Sequence, residues 1–183
     1  MATTIEQMAG FLEAEGLKFR IQDDLIHTGF LTSNYKAPDG TAGISLVIAL
    51  EENGGFLKVV APRVYFYPEG EHKAALFQSL LMICYGTKLV QFEYDAMDGE
   101  VRAIIELPVE DATLTQRQLI RCLRTIAGVM DECHGLVVAA MTKGELPKVQ
   151  DNPELARLWR EFQEFLEKKR QAEGATPGDG LPS

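Results

Sequence analysis

The stretch ISLVIALEENGGFLKVVAPRVYFY, residues 44–67, decides the fold class of this chain. Ile44 to Leu50 and Phe56 to Tyr67 are apolar runs rich in β-branched and aromatic residues, and they flank Glu52-Asn53-Gly54-Gly55. Asn-Gly between two such runs is a strong hairpin signal, because both residues accept the positive φ of a tight turn between twisted strands. Two long antiparallel strands are expected. Pro62 lies inside the second run. It has no N–H to give to a ladder, so that strand is expected either at a sheet edge or broken by a bulge.

Towards the N-terminus, Thr3 and Glu6 read as a capping box for a first helix with Ile5, Met8 and Leu12 on one face. Gly16 supplies its left-handed stop. Leu17, Phe19 and Ile21 alternate with polar residues as a half-buried strand does, Asp23-Asp24 makes a turn, and Leu25 to Leu31 reads as the return strand. Ser33 to Thr41, with Pro38-Asp39-Gly40, reads as a loop with room for motion.

Towards the C-terminus, Glu71 to Tyr85 reads as a helix that is apolar nearly all round: Leu76, Phe77, Leu80, Leu81 and Cys84 make a broad face, and Ala74, Ala75, Met82 and Ile83 leave little of it polar. Such a helix is buried on several sides, by its own sheet and, on one reading, by a second subunit. A second hairpin, Leu89 to Tyr94 and Val101 to Leu107, turns at Asp98-Gly99. Thr115 and Gln118 form a capping box for a long helix with the stripe Leu119, Leu123, Ile126, Met130, Val137 and Met141, ending near Lys143-Gly144. Asn152-Pro153 opens a last helix striped by Leu155, Leu158, Trp159, Phe162, Phe165 and Leu166. That stripe first suits packing on its own domain; the alternative is an arm docking on a partner or a second subunit. The expected organisation is an α+β domain over residues 1–144, a linker and amphipathic helix over 145–173, and a disordered tail over 174–183.

The chain has 183 residues, 46% hydrophobic and 25% charged, which suits one globular core with no need of a metal or disulfide staple. Its net charge is −9. A phosphate backbone or an anionic membrane surface is repelled at long range, whereas a basic partner is attracted. Cys84, Cys122 and Cys133 are an odd set, each in an expected helix, and read as free thiols of a cytoplasmic protein. No secretory signal is legible, and no apolar run approaches the roughly 20 residues that span a bilayer.

A search for chemistry returns none. Neighbours Cys133 and His134 point about 100° apart on a helix and cannot chelate one ion. His27 and His72 lie on other elements. Gly86-Thr87-Lys88 reverses the order of a phosphate loop and follows a helix, and Met97 takes a ligand position of any calcium loop at Asp95–Glu100. The pairs Asp23-Asp24, Glu51-Glu52 and Glu110-Asp111 fall at element ends, where solvated carboxylates belong.

From about Thr4 to Met141 the sequence resembles the YbjN family, whose fold is similar to that of class I type III secretion chaperones. The likeness is carried by the hairpin Ile44–Tyr67 with Ala61-Pro62, the helix Lys73–Tyr85, the hairpin Val90–Leu107 with its Asp98-Gly99-Glu100-Val101 turn and Leu107-Pro108 exit, and Leu114-Thr115 opening the long helix. It implies an antiparallel sheet packed on helices in the order helix, strands, helix, hairpin, helix, to which Asn152–Arg170 is an addition. It further implies a homodimeric, non-enzymatic, chaperone-like or regulatory protein with no cofactor. The expected partner is a protein client held in extended or partly unfolded form. Candidate contact residues are Phe77, Leu80 and Leu81, Pro62 and Tyr65, and Trp159, Phe162 and Phe165. A small-molecule sensor or enzyme using a sheet–helix pocket, and a structural subunit of a larger assembly, are the rival readings.

Overall fold

The computed structural model describes residues 3–110 and 112–146. The elements run α1 (Ile5–Ala14), β1 (Arg20–Gln22), β2 (Leu25–Leu31), β3 (Gly43–Glu51), β4 (Phe56–Phe66), α2 (Lys73–Gly86), β5 (Gln91–Tyr94), β6 (Glu100–Pro108) and α3 (Gln116–Lys143). The strands form one antiparallel sheet in the order β1-β2-β3-β4-β6-β5. This is the expected α+β architecture. The helix expected over Asn152–Arg170, with Trp159, Phe162 and Phe165, the expected tail and most of the expected linker lie outside the described residues.

Strand alternation puts Ile26, Ile44, Leu46, Ile48, Leu57, Val59, Ala61, Val101, Ala103 and Ile105 into one core with Met8 and Leu12 of α1, Leu76, Leu80 and Ile83 of α2, and Leu119, Leu123, Ile126 and Met130 of α3. The opposite face carries a cross-strand row, His27–Val47–Val60–Ile104–Gln91. Ile104 is buried there although it lies outside the helix-side core. The pairs Lys58–Glu106 (3.1 Å) and Arg102–Glu93 (2.6 Å) flank it on the same face.

Two turns follow their residues closely. Asn53 and Gly54 hold φ of 56° and 90° between β3 and β4, and Gly99 holds φ of 86° between β5 and β6. The capping box of α3 forms in full, with Thr115 Oγ1 accepting from Gln118 N–H and the Gln118 side chain accepting from Thr115 N–H. Gly144 closes α3 at φ 69° and donates to Ala140 O.

Two expectations are corrected, and one that allowed either of two devices is decided. The cap of α1 is Thr4, whose hydroxyl accepts from Gln7 N–H. Thr3 is buried and accepts instead from Leu114 N–H (3.1 Å), tying the N-terminus to the lead-in of α3. Pro62 does not mark an edge, since β4 lies between β3 and β6. The missing donor is absorbed by the other expected device, a bulge: Ala61 pairs with Ala103 and Tyr65 with Val101, so Pro62, Arg63 and Val64 stand opposite Arg102 alone. Arg63, at φ 50°, gives its N–H to the Glu100 carboxylate (2.9 Å). Third, Ile21 is about half exposed and only Arg20–Gln22 pair, so the first strand is shorter than its alternation suggests.

Candidate protein interfaces

α2 positions the first candidate surface. Its buried side is Leu76, Ser79, Leu80 and Ile83. Ala74, Gln78, Leu81 and Tyr85, at i, i+4, i+7 and i+11, form the exposed stripe, with Leu81 70% and Tyr85 63% exposed. Leu89 follows just beyond the helix, also exposed. Phe77 sits at the border, half-buried, edge-on to Tyr94 with ring centres 4.8 Å apart. Lys73 Nζ lies over the same Tyr94 ring, 4.9 Å from its centre.

The sequence-derived contact residues thus separate. Leu81 is presented to solvent and Phe77 partly so. Leu80, only 5% exposed, and Tyr65, also 5%, belong to the chain's own core and are not available on the surface of a single chain. Tyr85 and Leu89 were missed. Their signal was their spacing from Leu81, hidden by apolar residues on every other side of the helix.

The second candidate surface lies where β3 and β4 part. Their pairing ends at Val47↔Val60, while β3 continues back to Gly43 beside β2 and β4 continues to Phe66 beside β6. The sheet forks. Pro62 lines the groove at the fork with Arg63, Ile44, Pro38 and Leu31, the last 93% exposed.

Tyr35, from the loop between β2 and β3, plugs the fork on the helix side. Its hydroxyl donates to Val64 O (3.0 Å), and its ring stands edge-on to Tyr65 and to His134 of α3. Tyr65 and His134 are stacked, with Tyr65 Oη and His134 Nδ1 3.4 Å apart. Asp131, one turn before His134, accepts from the N–H groups of Asn34 (2.6 Å) and Tyr35 (2.8 Å). The loop expected to have room for motion is anchored at both ends of this cluster.

Burial sets the protonation of the cluster. It pushes the Tyr35 phenol up to about 12, with Asp39 adding to the effect, and raises that of Tyr65 further. It holds His134 below its ordinary value, Asp131 opposing and Lys36 reinforcing. The two backbone donors lower Asp131. The two phenols thus stay protonated near neutral pH and the Asp131 carboxylate is engaged by two backbone donors, which suits a structural latch. The cysteines are free, and burial raises the thiol pKa of all three.

No protein-family model matches this sequence, and no curated protein matches it. Among solved structures, the chain is similar to YbjN from E. coli, a candidate transcription regulator, with a TM-score of 0.52 and 15% identity over 72% of this chain and 91% of that one. More distant likenesses are to the heterodimeric ExoU–SpcU complex of the type III secretion system of Pseudomonas aeruginosa (TM-score 0.43, 17% identity, 73% and 96% covered) and to the HopA1–SchA chaperone–effector complex (0.43, 15%, 72% and 91%). The fold of the described domain is therefore YbjN-like, as the sequence resemblance implied.

Proposed function

We propose that this protein is a non-enzymatic, homodimeric binding module of the cytoplasm that holds an extended or partly unfolded protein client. The observation that carries the reading is the exposed stripe of α2. Single exposed leucines are ordinary, but exposed Leu81 and Tyr85 one turn apart on α2, with exposed Leu89 just beyond it, offer apolar surface of the kind that second subunits cover. A two-fold axis beside α2 would bury this stripe against its own copy. The reading is further supported by the YbjN-like fold and by a core that fills the space between sheet and α3, where a sensor or enzyme would keep its pocket. The fork groove at Pro62, with Leu31 on its rim, is the surface left for the client.

Light scattering at micromolar concentration should report twice the 20.3 kDa chain mass. Leu81→Glu combined with Tyr85→Glu should halve it while leaving the circular dichroism unchanged, because neither side chain packs in the core. The dimeric protein should suppress aggregation of a chemically unfolded reporter, and Leu31→Glu should weaken that effect without altering the mass. A wild type that is monomeric throughout, or a dimer indifferent to the α2 pair, overturns the dimer. Aggregation unaffected by the protein overturns the client.

A further inference from the structure

On a chain of net charge −9, one face of α3 concentrates arginine. Arg117, Arg121 and Arg124 stand at i, i+4 and i+7, and with Gln116 and Ile120 they line a groove against Glu15, the residue that follows α1. Ile120 is a buried apolar floor. The first turn of α3 contains no acidic residue, so its positive helix end adds to the same field. Glu15 is already held here: its carboxylate accepts from Gln116 Nε2 (2.9 Å) and from Arg124 Nη2 (3.0 Å). Arg117 and Arg121 are exposed and have no ion-pair partner among the described residues.

We infer that this groove docks an acidic segment of a protein partner. The inference rests on the reading of the chain as a protein-binding module, but it concerns a helix other than the one proposed for dimerisation. Charge complementarity selects the occupant. Guanidinium groups pair with carboxylates through parallel N–H donors, and the groove shows that a carboxylate fits, because Glu15 occupies one position. The spacing selects an extended segment. Arg117 and Arg121 are about 6 Å apart along the helix axis, close to the roughly 6.8 Å between alternate side chains of an extended strand. A nucleic-acid strand is disfavoured, because its unbroken line of phosphates would run beyond three arginines onto an acidic surface.

Glu15 gives the inference its distinctive test. It occupies Arg124 and Gln116 in the empty groove and competes with an incoming carboxylate. Fluorescence anisotropy with a labelled peptide of alternating glutamate and glycine, at low ionic strength, should show saturable binding. Arg117→Glu with Arg121→Glu should weaken it about tenfold or more. Glu15→Gln should strengthen it several-fold, whereas Glu13→Gln, the same charge change on exposed α1 surface outside the groove, should not. The Leu81→Glu, Tyr85→Glu protein should bind the peptide like wild type, so failure of the dimer and failure of the groove are separable. No binding at millimolar peptide, or equal effects of Glu13→Gln and Glu15→Gln, overturns the inference. Tighter binding of a single-stranded oligonucleotide of equal charge through the same arginines overturns the choice of partner.

Discussion

Tyr35 stands where β3 and β4 part, its hydroxyl on Val64 O and its ring against Tyr65 and His134. Tyr35→Phe keeps the ring and removes one buried hydrogen bond, so a loss of about 1 kcal/mol in a denaturant titration is expected. His134 makes the same cluster sensitive to acid. Its folded-state pKa lies below the ordinary value of 6.5, mainly through burial, so its contribution to stability is complete above that value and declines as pH falls toward the folded pKa. Groups facing it are Asp131 on its own helix, Tyr65 from β4, and Tyr35 and Lys36 from the loop. The thermal midpoint should be level above about pH 6.5 and fall as the pH drops below it, and His134→Phe, which keeps a ring against Tyr65, should flatten that decline. A decline of equal size in the variant would assign it elsewhere. None of this was legible in the sequence. Tyr35 sits in a stretch dominated by turn residues, and Asp131 lies mid-helix, where an acidic side chain ordinarily reads as solvated.

At the scale of elements, α3 and α2 show what makes a helix readable. α3 alternates charged and apolar residues at helical spacing, so Leu119, Leu123, Ile126, Met130 and Val137 could be assigned to the core from the pattern, and all five are buried. α2 offers apolar residues in every direction, and the pattern gives no orientation. Which side faces inward was decided by packing, which buried even the polar Ser79 and left Leu81 outside. Adjacent leucines therefore carry opposite consequences. Leu80→Ala should cost about 2–5 kcal/mol. Leu81→Ala should change the stability of the folded chain by less than about 0.5 kcal/mol, and on the proposed dimer it should weaken self-association. Equal costs would mean that α2 is rotated from the orientation described. β4 makes a related point, since a proline inside a strand leaves edge and bulge equally open from sequence, and only the pairing of β6 beyond it decides between them.

Across the whole molecule, the order of elements and the hairpins were legible because turn chemistry and capping are local. The ties between distant parts were not: one hydrogen bond among the described residues joins Thr3 to Leu114, 111 positions apart. It has a counterpart in Glu15, which bonds Gln116 and Arg124. Both ends of α1 are thus secured to α3 or its lead-in, and the fully buried Met8 and Leu12 sit between them. During synthesis α1 leaves the ribosome before α3, so Met8 and Leu12 lack the α3 part of their cover until most of the described domain has been made. The domain is therefore expected to close late and as a unit, with α1 docking stably only once α3 is available. Arrested nascent chains ending before residue 116 should leave α1 open to protease, and chains extended past residue 143 by the length of the exit tunnel should protect it in one step. Protection appearing once the first four strands have emerged would show that α1 finds its place without α3.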